Sequence, residues 1–148
     1  MTTYLADKSA LVHMSIPKVA AKLEPLILTG EVATCGVIEL EVLYSARSEK
    51  DLIGTRSRRA AAFPRVAMSE EDFLRAEEVI AQLAKKGQHR AVSLPDLLIA
   101  AAAERARLVV LHYESDYDVI AAVTRQPVEW VAPRGSLSSL PRARPRYG

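Results

Sequence analysis

Short apolar runs that stop abruptly alternate with stretches of helical period, and this alternation constrains the fold more than any other feature of the chain. Tyr4-Leu5-Ala6 stops at Asp7, Val32-Ala33-Thr34 follows a break at Gly30, Leu108-Val109-Val110-Leu111 is short and wholly apolar, and Val128 to Val131 closes the series. Such runs read as strands buried on both faces. Between them the period changes. Ser9 is placed to cap a short turn through His13, and Pro17 suits a first helical position ahead of Val19, Leu23, Leu26 and Ile27. Residues 37–44 read as a largely buried helix. Residues 48–63 read as an exposed, Arg-rich helix or helical pair that Pro64 breaks, with a brief strand or extended link at Val66-Ala67. Ser69-Glu70-Glu71-Asp72 resembles a capping box opening a helix with Phe73, Ala76, Ile80 and Leu83 on one face. Leu94-Pro95-Asp96 starts the most apolar helix, and another spans roughly residues 116–123. Strands alternating with helices, with no Asn-Gly hairpin between them, indicate an α/β domain: three layers, with a central mainly parallel sheet flanked by helices.

The 148 residues suffice for one domain with one core. Net charge is +2, but the final eight residues carry Arg142, Arg144 and Arg146 and no acid, so the first 140 residues sum to −1. The body is therefore not a basic nucleic-acid glove, and contact with a polyanion must come from local patches. The densest patch, Arg47, Arg56, Arg58 and Arg59, reads either as a solvated helix face or as a surface for RNA phosphates or acidic protein residues. A single cysteine, Cys35, excludes an internal disulfide, and no signal peptide is visible. The longest apolar run, residues 97–103, is too short to span a bilayer, so a soluble cytoplasmic protein without membrane contact is expected. The domain is read as residues 1–133, with a Pro/Arg-rich flexible tail over residues 134–148.

Parallel sheets place chemistry at the carboxyl ends of their strands. Asp7 follows the first strand, and Asp116 lies five residues after Leu111. Asp96 and Glu41 sit among apolar neighbours, where a carboxylate loses hydration and must be paired, hydrogen-bonded or metal-bound. Each acid also has an ordinary structural reading: a turn acceptor for Asp7, a helix-start anion for Asp96, an N-cap for Asp116. Glu41 competes with Glu39, and two residues apart on a helix they point about 200° apart, so one metal cannot take both. Converging carboxylates without His or Cys partners form a hard, all-oxygen site suited to Mg²⁺ or Mn²⁺. Such a site meets the demands of phosphodiester hydrolysis.

Four segments in order carry a family resemblance: Leu5-Ala6-Asp7-Lys8-Ser9-Ala10-Leu11, Glu41-Val42-Leu43-Tyr44-Ser45-Ala46-Arg47, Leu94-Pro95-Asp96-Leu97-Leu98-Ile99-Ala100-Ala101, and Val109-Val110-Leu111-His112-Tyr113-Glu114-Ser115-Asp116-Tyr117. From Tyr4 to about Val131 the chain resembles the PIN-domain ribonucleases of the VapC toxin type. The second segment selects Glu41 over Glu39, leaving Glu39 a supporting or structural acid. The resemblance implies a PIN fold and a Mg²⁺-dependent endoribonuclease, with Mn²⁺ as a substitute, that hydrolyses RNA phosphodiesters with metal-activated water. It also implies a homodimer and a VapB-type antitoxin partner. Asp7 and Asp96 would be the principal metal ligands, Glu41 and Asp116 would complete the cluster, Glu114 would be a fifth acid, and Ser9 would hold a water or an acid in place. Lys8, His112 and Glu114 depart from the family pattern of Thr, Thr or Ser, and Asp or Asn. The rival reading is a non-catalytic PIN-like module that binds RNA or protein; a retired site, however, has no need to keep four costly acids.

Overall fold

A computed structural model of the protein describes residues 1–137. Its elements, in order, are β1 (Tyr4–Ala6), α1 (Lys8–Leu11), α2 (Pro17–Leu28), β2 (Val32–Cys35), α3 (Gly36–Tyr44), α4 (Glu49–Ala62), β3 (Arg65–Val66), α5 (Glu70–Lys85), α6 (Leu94–Ala106), β4 (Val109–His112), α7 (Asp116–Thr124) and β5 (Val128–Trp130). The sheet runs β3-β2-β1-β4-β5, and every pairing is parallel. Strand order reverses between β1 and β4, which pair Tyr4 with Val109, Leu5 with Val110 and Ala6 with Leu111. In an open parallel sheet the crevice beyond that reversal is where ligands bind.

Alternate strand residues feed two cores, one on each face of the sheet. Leu5, Ala33 and Val110 join a core with α3, α5, α6 and α7, whereas Ala6, Val32 and Leu111 join a second core with α1 and α2. The expected three layers are thus present. Val19 and Leu23 of the α2 stripe are fully buried in the second core, with Ile16 and Leu26 partly buried beside them. The run Ala100–Ala103 lets α6 pack closely between sheet and α5.

Of the two readings of the Arg-rich stretch, the single helix holds, over residues 49–62. Three local expectations change. Asp7, not Ser9, caps the first helical turn. The buried stripe of α5 is Asp72, Ala76, Val79 and Leu83; Asp72 takes the inward position to meet Arg105, and Phe73, one step around the helix, is exposed. Residues 134–137, assigned to the tail, still touch the body: the Leu137 N–H donates to the Tyr113 hydroxyl at 2.9 Å, and its side chain joins the second core. The flexibility expected further along the tail falls on residues 138–148, outside the described residues. No helix among the described residues is long and apolar enough to cross a membrane.

Candidate active site

The sheet reversal brings Asp7, Glu41, Asp96 and Asp116 to one edge. Asp7 leaves β1 in extended conformation, its N–H donating to the Leu111 carbonyl at 2.9 Å. Its Oδ2 accepts from the Ser9 N–H at 3.0 Å, so the carboxylate caps α1 and is fixed in rotation. The Ser9 hydroxyl faces the other way and accepts from the Tyr113 N–H at 2.8 Å, tying the turn after β1 to the loop after β4. Ser9 therefore orients Asp7 through its backbone, while its side chain secures the neighbouring loop.

Asp96 occupies the first turn of α6, where Ser93 is the N-cap and its Oγ accepts from the Asp96 N–H at 3.2 Å. The Ser93 N–H donates to Asp116 Oδ2 at 2.9 Å, drawing the first residue of α7 to the same helix end. Glu41 enters from α3. Carboxylate oxygens of Asp7, Glu41 and Asp96 all lie within 4.8 Å of one another. Asp116 sits beside that trio, hydrogen-bonded to Asp96 and acting on its charge. Glu114 is not among the three; its N–H donates to His112 Nδ1 at 3.1 Å. Glu39, the rejected alternative, points elsewhere, where Arg59 grips it with two hydrogen bonds of 2.8 Å and Thr34 adds a third.

Asp7 and Asp96 are buried, and Glu41 and Asp116 are half-buried. Burial, then the charges of Asp7 and Asp116, push the Asp96 carboxyl up to about 9, so it holds a proton at neutral pH unless a cation replaces it. Tyr117, fully buried, places its hydroxyl 2.9 Å from Asp7 Oδ1 and 3.1 Å from Asp96 Oδ1. A phenol has one proton, so Tyr117 shares a single donor between the two carboxylate oxygens. Burial and the two acids raise the Tyr117 phenol well above its ordinary value, keeping it a donor. His112, also fully buried, packs 4.9 Å from the Tyr117 and Trp130 rings, and burial lowers its pKa. Asp118 accepts the Trp130 indole N–H, anchoring α7 to β5.

An all-oxygen donor set with two of its three acids buried fits a hard divalent ion. Tyr117 and Ser93 take part in this arrangement without having been singled out from sequence. Ser93-Leu94-Pro95-Asp96 is a legible cap motif, and the spacing of Tyr117 and Ile120 is that of an inward helix face whose phenol needs a partner.

A five-stranded parallel sheet carrying three acids at its reversal can now be set beside known proteins. The PIN domain family matches residues 4–123. The chain belongs to the PIN-domain family. Among its relatives, Ribonuclease VapC21 of Mycobacterium tuberculosis is 45% identical over 137 residues, covering 91% of this chain and 98% of its own. Ribonuclease VapC51 of the same organism is 43% identical over 137 residues, covering 90% and 96%. These relatives place the chain in the VapC branch of the PIN-domain proteins. The fold agrees: DNA-bound VapBC from Salmonella typhimurium superposes with a TM-score of 0.73 at 15% identity, covering 89% of this chain and all of that one. VapBC-5 from M. tuberculosis, a toxin–antitoxin system, gives a TM-score of 0.57 at 22% identity over 88% and 98%. At such identities these likenesses speak for the PIN fold alone.

Proposed function

We propose that this PIN-domain protein is a divalent-metal-dependent endoribonuclease, Mg²⁺ being the working ion and Mn²⁺ a substitute, and the toxin of a VapBC-type pair. The observation that carries the reading is the convergence of Asp7, Glu41 and Asp96 oxygens within 4.8 Å at the sheet reversal. Asp7 and Asp96 hold the ion, with Glu41 and Asp116 completing the anionic wall. An ion bound there supplies a water of lowered pKa and offsets charge developing on the phosphoryl group. The chain's own contribution is placement: Ser9 and Tyr117 orient Asp7, and Ser93 fixes Asp116 against the start of α6. RNA as substrate is supported by relatives named as ribonucleases at 43–45% identity. An antitoxin partner is supported by the VapBC assemblies that share the fold, and exposed Leu40 of α3 and Ile53 of α4 offer apolar area for a partner or second copy.

The test is cleavage of an unstructured RNA by purified protein. Cutting is expected with Mg²⁺ or Mn²⁺ and should stop with EDTA, and Asp7→Ala should reduce it by at least about 100-fold, the upper range for disturbing a metal site's support. Undiminished cutting by Asp7→Ala would overturn the mechanism. Growth arrest on expression, relieved by co-expressing an antitoxin gene, tests the toxin role.

A further inference from the structure

We propose that Tyr117 is a positioning residue: its phenolic hydroxyl braces Asp7 against Asp96 at the separation that one divalent cation requires. This rests on the reading of the acid cluster as a metal site. The two acids stand 89 positions apart in sequence and enter from different elements, Asp7 from the end of β1 and Asp96 from the start of α6. When both are ionised, as a bound cation requires, like charges so placed repel, and burial strengthens the repulsion. One hydroxyl touches an oxygen of each, at 2.9 and 3.1 Å, with no solvent exposure of the tyrosine. On Asp7 the Tyr117 contact falls on Oδ1 and the Ser9 N–H on Oδ2, so the carboxylate plane is set from both sides. The tyrosine itself has little freedom: its ring packs in the larger core and 4.9 Å from His112. A rigid ring carrying one oxygen between two ligand acids is the arrangement by which an outer contact tunes a metal site.

The mundane alternative is a core tyrosine whose hydroxyl found the nearest acceptors and contributes only to folding. Tyr117→Phe separates the two, because it removes one oxygen and keeps the packing. Mn²⁺ binding to the full chain, read by loss of the free-ion electron paramagnetic resonance signal, is the primary measurement, with thermal melting in EDTA alongside. Tyr117→Phe should weaken Mn²⁺ binding by about 10–100-fold, the range for loss of such a contact. p-Aminophenylalanine at position 117, which restores a donor at the same place, should recover most of that affinity. Wild-type Mn²⁺ affinity in a Tyr117→Phe protein of lowered melting temperature would assign the hydroxyl to folding and overturn the proposal. So would failure of that variant to fold in excess Mn²⁺. Asp96→Ala separates this proposal from its premise. If Asp96→Ala abolishes Mn²⁺ binding while Tyr117→Phe binds normally, only the role of Tyr117 falls. If the wild type binds no Mn²⁺, the metal-site reading falls with it.

Discussion

Glu39 and Glu41 lie two residues apart on the same helix and meet opposite surroundings. Glu39 is held by the Arg59 guanidinium and the Thr34 hydroxyl, and although burial opposes it, those partners pull its carboxyl below the ordinary range. Asp72 follows the same rule, gripped by Arg105 within its capping box. Glu41 instead faces Asp7 and Asp96, and no ion pair among the described residues includes either of those two aspartates. Glu39 and Asp72 are neutralised by guanidinium groups of the chain itself. Asp7 and Asp96 have no such ion pair among the described residues, and their convergence in a buried place suits a bound cation.

The comparison can be broken most sharply by exchanging the two glutamates' roles. Glu41→Gln should lower RNA cleavage by about 100-fold while leaving the melting temperature close to wild type. Glu39→Gln should do the reverse, costing about 2–3 kcal/mol in chemical denaturation, somewhat less than the roughly 3–5 kcal/mol of a fully buried pair. If instead Glu39→Gln abolishes cleavage at full stability, the division of labour within α3 is wrong.

Acidity sharpens the contrast, since the two kinds of acid have opposite linkage. A carboxyl whose folded pKa is lowered, as in Glu39, adds stability above its unfolded pKa near 4 and loses it as pH falls. Asp96, with its folded pKa raised to about 9, takes up a proton on folding between those values, so the metal-free protein loses stability as pH rises from about 4 toward 9. Asp96→Asn should therefore raise the melting temperature in EDTA at pH 8 by about 5 °C, roughly 2 kcal/mol for a chain of this size, and by much less at pH 5. Equal melting of the two proteins at pH 8 would show that Asp96 is not under the strain its surroundings imply.

Much of this was legible in the sequence because it is local. Apolar runs such as Leu108–Leu111 announce buried strands, and Asp7 and Asp116 follow strands whose parallel pairing sends both to one edge. Glu39 could be separated from Glu41 by helix geometry and motif, but Arg59 as its partner could not be named, since 20 residues and a turn between helices separate them. The same limit hid Tyr117: helix periodicity points it inward, yet its bonds to Asp7 and Asp96 exist only once β1, α6 and α7 are assembled. Phe73 is exposed because Asp72 takes the inward position beside it, where the distant Arg105 and the Ser69 N–H make its burial tolerable.

The smallest effect expected comes from Ser93, where the two functions of one residue separate by atom. Its hydroxyl caps α6 by accepting the Asp96 N–H, whereas its own N–H holds Asp116. Ser93→Ala removes the first contact and keeps the second. The loss should be about 1 kcal/mol of stability, the usual cost of an N-cap, measured by chemical denaturation. Because the backbone donor to Asp116 survives, Mn²⁺ affinity should change by less than the roughly tenfold expected for a lost supporting contact. A larger fall in affinity than in stability would mean that the cap sets the angle at which Asp96 faces Asp7, and would move Ser93 from the acids' scaffold into their alignment.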